Sequence, residues 1–287
     1  MKSLIKRCKK YFGSFKNAIL FPGIWYIKPP EDVSLDGYRI DDVIQYTDTA
    51  ITIFFSIVVF CLIYFSIKYR AKPGHKAVYD KGDNKKSICV SVALGLLLFF
   101  SVDMVIEKKA FKDLKEAFWN FPKTEDVIKI QIMPQQYAWN FRYPGLDGKF
   151  ATEDDLVPTQ NQMHIPVDTP IVVQMAPYDV IHSFYIPNFR FKIDATPGMT
   201  TSFWFQAKKE GVYEIACAEL CGSGHYRMRG FLNVHSKENY QAWLQELQAE
   251  AEEFDDWDDW ETEETTSAEG PPKDWGWAWV KNSKGDQ

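Results

Sequence analysis

The stretch Cys217-Ala-Glu-Leu-Cys221-Gly-Ser-Gly-His225-Tyr-Arg-Met228 holds two thiols, an imidazole and a thioether. Each is a soft or borderline metal ligand. Half of it, Cys221-x3-His225-x2-Met228, has the ligand types of a mononuclear electron-transfer copper loop: one thiolate, one imidazole and a weak thioether, with a second histidine supplied from elsewhere in a β-sandwich. His182, within Tyr178-Asp-Val-Ile-His182-Ser-Phe-Tyr-Ile-Pro187, is the candidate for that histidine. A mononuclear site has no need of Cys217. A second thiolate four residues before the first, on one tight loop, can bridge two ions jointly with Cys221, each ion then taking one histidine. Two other readings use the same residues. A structural zinc site also takes two Cys and two His, although zinc has no use for the thioether of Met228. A Cys217–Cys221 disulfide would be permitted in an oxidising exterior.

The loop needs a rigid support. Val127–Met133, Ile171–Met175, Thr201–Gln206, Gly211–Ala216 and Gly230–His235 alternate apolar and polar with period two, punctuated by Pro and Gly. That pattern predicts a β-sandwich of a little over a hundred residues, with the cysteine segment as a loop at one end. The other histidines, His75, His164 and His235, read as ordinary loop or sheet residues without ligand company.

The chain has 287 residues, 46% of them hydrophobic, and a net charge of −6, so no nucleic-acid partner is expected. Two apolar runs stand out. Ala50–Ile67 is uncharged and Ser87–Ile106 carries only Asp103 near its end. Each is long enough to cross a hydrocarbon layer of about 30 Å, and together they predict a transmembrane helical hairpin. Buried helices of a large soluble protein are the competing reading. Cys61 and Cys89 fall in these runs and read as small apolar residues. The connecting loop carries Lys68, Arg70, Lys72, Lys76, Lys81, Lys85 and Lys86 against Asp80 and Asp83, which places it on the cytoplasmic side and both termini outside. Six basic groups and no acid among the first sixteen residues pull the other way. Ala18–Ile27 is too short, and too interrupted by Pro22 and Gly23, for a comfortable third crossing.

Here the chain resembles subunit II of the heme-copper oxidases, the cytochrome c oxidase family, whose copper A centre carries C-x-E-x-C-x3-H-x2-M with an upstream D-V-x-H-S. Both patterns are present, the second as Asp179-Val-Ile-His182-Ser183. Phe191-Lys-Ile-Asp194-Ala-Thr-Pro197-Gly198 is also similar to the family's segment between them. The resemblance spans residues 40 to 240. It implies a two-helix transmembrane hairpin followed by an all-β cupredoxin-like sandwich, with two copper ions bridged by the Cys217 and Cys221 thiolates. His182 and His225 would be the terminal ligands, Met228 a weak axial ligand, and the Glu219 carbonyl the axial ligand of the other copper. The Glu219 side chain would complete a magnesium site toward subunit I. The implied function is electron entry: from a c-type cytochrome to copper A, then to heme in subunit I, where dioxygen is reduced. The implied place is a bacterial inner membrane, with the copper domain on the periplasmic side.

Three departures set this chain apart from the family pattern. The family's aromatic electron-entry segment reads Q-W-Y-W-x-Y; here it is Gln136-Tyr137-Ala138-Trp139-Asn140-Phe141-Arg142-Tyr143, which leaves Tyr137 and Trp139 as electron-entry candidates. A packed aromatic cluster is the plainer reading of Trp139 and Phe141. The proton-entry pattern E-x-x-W-T-x-x-P is absent from the second apolar run. Finally, a helical segment from Glu238 leads into an acidic tail, Asp255–Glu264, and the cluster Trp275-Gly-Trp-Ala-Trp279. Acidic groups steer basic cytochromes, and Glu153, Asp154, Asp155 and Asp179 are candidates on the sandwich. The tail is a candidate for holding a permanently associated c-type heme protein.

The expected segments are an N-terminal arm (1–45), the hairpin (46–110), a connector (111–126), the copper domain (127–237) and the C-terminal extension (238–287). Two functional alternatives share these features: the electron-entry subunit of a copper-A-containing nitric oxide reductase, and a cupredoxin that carries or assembles copper.

Overall fold

A computed structural model of the chain describes residues 29–76, 79, 81–145, 147–152 and 154–255. The arm before residue 29, Glu153 and the acidic, Trp-containing stretch after residue 255 lie outside the described residues. Two compact units emerge: Asp41–Lys112, and Pro30–Ile40 together with the chain from Asp113.

Helix α1 (Gly37–Lys68) and helix α2 (Lys85–Phe118) are each long and apolar enough to cross a membrane. Their apolar side chains point outward; Phe60 is 67% exposed and Phe100 62%. That is the arrangement for lipid, because a water-facing helix would hide such a stripe. The hydroxyls of Thr47, Thr49, Ser56 and Ser101 donate to the carbonyl four residues earlier, so none is left unsatisfied in an apolar setting. Asn84 caps α2, its side chain accepting from the Ser87 amide. Nothing breaks that helix before Pro122, so the charged connector stays helical as far as Phe118, with π turns at Phe99–Asp103 and Leu114–Phe118.

The second unit is a sandwich of two sheets. One has four strands in the order β2-β1-β4-β7: β2 Ala138–Arg142, β1 Ile128–Gln135, β4 Pro170–Met175 and β7 Thr201–Gln206. The other has five in the order β3-β9-β8-β5-β6: β3 Gln162–Pro166, β9 Arg229–His235, β8 Gly211–Cys217, β5 His182–Ile186 and β6 Phe191–Ala195. β1 runs parallel to β4 and β3 parallel to β9; the other pairs are antiparallel. Alternation sets the inner faces. In β4, Ile171, Val173 and Met175 are buried while Val172 and Gln174 are half-exposed. They meet Ile130, Ile132, Trp139, Phe141, Phe184, Phe203, Ile215 and Leu232 in one core. Strand β2 escapes the alternation rule because four of its five residues are buried, including Asn140 and Arg142.

Two segments complete the sandwich. Before α1, Val33 is buried, its amide donates to the Asn188 carbonyl and its carbonyl accepts from the Lys208 amide, while Ser34 bridges Ala207. After β9, helix α3 (Lys237–Asp255) begins at Ser236, whose hydroxyl accepts from the Asn239 amide. Its Tyr240, Trp243, Leu244 and Leu247 fall on one helical face; the last three pack against the core, and the buried Tyr240 ring meets Trp243. There His164 and His235, expected to be without company, face each other: Nδ1 of one lies 2.9 Å from Nε2 of the other, and the Trp243 ring stacks on His164 at 4.2 Å.

Candidate metal centre

β5 and β8 pair antiparallel with Phe184 opposite Cys217, and the Ala218 amide donates to the Ser183 carbonyl. This register carries the start of β5, where His182 stands, to the end of β8, where Cys217 stands. The loop from Cys217 to Met228 closes at its neck, the Cys217 amide donating to the Met228 carbonyl at 3.2 Å. Inside it, a 3-10 turn over His225–Arg227 and Gly222, at φ 132, fold the loop back over the sheet end. An L side chain would be strained at that φ, so glycine suits the position.

The donor atoms converge. Cys217 Sγ and Cys221 Sγ are 3.9 Å apart, with no disulfide between them. His182 Nδ1 lies 3.9 Å from Cys217 Sγ, His225 Nδ1 3.7 Å from Cys221 Sγ, and Met228 Sδ 3.7 Å from Cys221 Sγ. The Glu219 carbonyl is 3.2 Å from Cys217 Sγ, while the Glu219 side chain is exposed. His182, Cys217 and Cys221 form the one cluster of three such ligand side chains found among the described residues. His182, Cys221 and Met228 are buried, so water is largely kept from the site.

Charge is arranged around the first sulfur. Burial raises the Cys217 thiol, but hydrogen bonds from His182 and nearby backbone outweigh it and bring it down to about 6. Burial, followed by the neighbouring Cys217 charge, pushes Cys221 up to about 12. The two thiols share their protons as one coupled pair, and loss of the first gives the thiolate, the form that binds metal. Burial opposes a charge on His182, yet Cys217 and Asp179 on its two sides raise it. Asp179 Oδ1 lies 2.8 Å from His182 Nε2. A carboxylate behind the ring fixes which nitrogen faces the metal, here Nδ1.

Asp179, a steering candidate in the sequence, is only partly exposed. It is turned inward and also accepts from the Gln136 and Val180 amides. Asp155 is likewise turned inward, against the buried Arg142 at 3.4 Å. Of that acidic set, Asp154 is exposed. The orienting role of Asp179 has a usable signal in the sequence, since it stands three residues before the ligand histidine.

The two electron-entry candidates are separated by the fold. Trp139 is fully buried, its ring centroid 6.4 Å from that of His182, so it cannot touch a docking protein. Tyr137 is half-exposed at the turn between β1 and β2 and lies over the loop, its hydroxyl 3.2 Å from Ser223 Oγ. A Cβ on Gly224 would sit 2.5 Å from the Tyr137 ring. Gln136 opens the aromatic segment, but nothing in the sequence points to its contact: its side-chain amide donates to the Cys221 carbonyl at 2.5 Å.

The chain is similar to known proteins. The family described as cytochrome c oxidase subunit II, periplasmic domain, matches residues 128–234. The alternative cytochrome c oxidase subunit 2 of Bradyrhizobium diazoefficiens is 32% identical over 234 residues, 73% of this chain and 80% of that one. The cytochrome c oxidase subunit 2 of Alkalihalophilus pseudofirmus is 30% identical over 69% of this chain and 56% of its own. Among solved structures, the periplasmic domain of subunit II of cytochrome oxidase from Bradyrhizobium japonicum is 32% identical over 46% of this chain and 99% of that one, with a TM-score of 0.39.

Proposed function

Since this chain belongs to the cytochrome c oxidase subunit II family, the electron-entry subunit of an oxidoreductase complex, we propose that it receives electrons at a dinuclear copper A centre. It is an integral membrane protein of the inner membrane, with the sandwich on the periplasmic side. Cys217, Cys221, His182, His225, Met228 and the Glu219 carbonyl would hold the two coppers, the histidines through Nδ1 and the thioether and carbonyl as the weaker donors. The observation that carries this reading is the two sulfurs 3.9 Å apart with a separate imidazole on each. The thioether in the donor set favours copper over zinc.

Bound there, a dinuclear copper would supply one-electron transfer. The protein supplies the rest. Asp179 holds His182 by Nε2, so the Nδ1 lone pair stays aimed at the sulfurs. The buried Met228, Cys221 and His182 keep water out and leave the ligands little room to move. Tyr137, half-exposed over the loop, is the electron-entry residue we favour, with Trp139 acting from beneath as a wall of the site. The donor would be a c-type cytochrome and the acceptor heme in subunit I, with the exposed Glu219 carboxylate offered to a magnesium ion at that junction.

Cys217→Ser tests the centre. The purified complex should fall from two coppers per chain to at most one and lose the electron paramagnetic resonance spectrum of a mixed-valence pair. Retention of both would overturn the assignment.

A further inference from the structure

Three loops meet at the metal centre, but ligands come from only two of them. The third is the turn between β1 and β2, where the Gln135–Ala138 register leaves Gln136 and Tyr137 as a two-residue hairpin tip. Gln136 reaches both ligand loops at once. Its side-chain Nε2 donates to the Cys221 carbonyl at 2.5 Å, and its backbone amide donates to Asp179 Oδ2 at 2.7 Å. Asp179 Oδ1 in turn holds His182 Nε2 at 2.8 Å. Next to it, Tyr137 fills the space that glycine leaves at 222 and 224, where a Cβ would sit 2.6 and 2.5 Å from tyrosine atoms.

We propose that Gln136 is a positioning residue for the copper site, bracing the Cys221 peptide and the Asp179–His182 pair from one rigid turn and setting the site's reduction potential. This rests on the copper A reading above. The physical argument is the direction of its amide dipole. An N–H donor aimed at the peptide of a thiolate ligand puts positive charge beside that ligand and favours the more electron-rich, reduced state. Hydrogen bonding around the ligating sulfur is a recognised lever on copper potentials. Because Tyr137 is bonded directly to Gln136, pressure from a docked donor on the tyrosine would be delivered to the same peptide.

The test uses Gln136→Met in the intact membrane complex. Methionine keeps the side chain's length and the backbone amide but removes the donor, so the Asp179 bond is untouched. The variant should keep two coppers per chain and show a lower reduction potential, a shift of about tenfold in the redox equilibrium or about 59 mV for one electron. Gln136→Glu, of the same shape with an acceptor in place of the donor, should lower it at least as far. Two coppers with unchanged potential and unchanged spectrum in both variants would overturn the proposal. In copper-depleted complex, alkylation of the Cys217–Cys221 thiols should run several-fold faster in Gln136→Met; an unchanged rate would count against the brace. Fewer than two coppers in the unsubstituted complex would instead defeat the dinuclear reading, and the alkylation rates would still decide the role of Gln136.

Discussion

At the scale of single residues, the centre is a case of ligands held by groups that bind no metal. Asp179 lies behind His182 at hydrogen-bonding distance, burial works against its charge, and the bonds from His182, Gln136 and Val180 lower it below its usual range. It therefore stays ionised near neutrality. Asp179→Asn keeps the shape and removes the charge, and should weaken copper retention by about 10- to 100-fold, measured by competition with a chelator. Unchanged affinity would mean that β5 alone aims the imidazole. Of the six proposed ligand positions, Cys217, Cys221, His225 and Met228 were legible as soft donors crowded at short spacing, His182 was a remote candidate, and the Glu219 carbonyl came only with the family resemblance. Gln136 and the inward turn of Asp179 and Asp155 were not legible. A glutamine before an aromatic, or an aspartate among other acids, looks the same whether it faces solvent or a buried partner, and only the register of β1 on β2 decides.

Among the elements, strands with one buried face announced themselves, whereas β2, buried on nearly every residue, and the short β3, β5 and β6 did not. Helix α3 was visible by its pattern, but the histidines beneath it were not, because β3 and β9 are 60-odd residues apart until their parallel pairing sets His164 beside Asn233 and His235 next to it. Burial, and then the neighbouring imidazole, lower His164 to about 4; burial lowers His235, with Glu210 acting weakly the other way. Glu246 and Glu250 line the cavity beside His164. Both rings are thus neutral in the folded chain at pH values where an unfolded chain would protonate them. The folded state binds fewer protons between about pH 6.5 and pH 4, so stability is intact above that window and is lost as pH falls through it. The slope is at most about 1.4 kcal/mol per pH unit for each ring. Denaturation midpoints followed by tryptophan fluorescence should fall between pH 7 and pH 5. His164→Phe, which can still stack on Trp243, should flatten that fall; an identical slope in the variant would clear the imidazole pair.

For the whole molecule, the acidic stretch and its tryptophans are the part that the copper chemistry leaves unused. Tryptophan is costly to leave in water, and acidic charge attracts basic cytochromes. Removing Glu252 to Gln287 should therefore weaken the hold on a c-type donor and change which heme proteins co-purify; unchanged donor affinity and composition would show that the tail holds no donor. The two membrane helices and the sandwich were both legible from composition and period. The piece of chain ahead of them was not, because Val33 and Leu35 are too few apolar residues to read as a strand. Yet Lys208 Nζ meets the Leu35 carbonyl across 173 residues of chain, and the Leu35 amide donates to the Gln206 carbonyl. This segment leaves the ribosome before either helix, whereas the strand it lies against is made after both of them. The strip synthesised first therefore cannot make its contacts until the sandwich residues 188 and 206–208 have been synthesised. A sandwich expressed alone from residue 113 onward would be born without it, with the Gln206 and Asn188 carbonyls left to water.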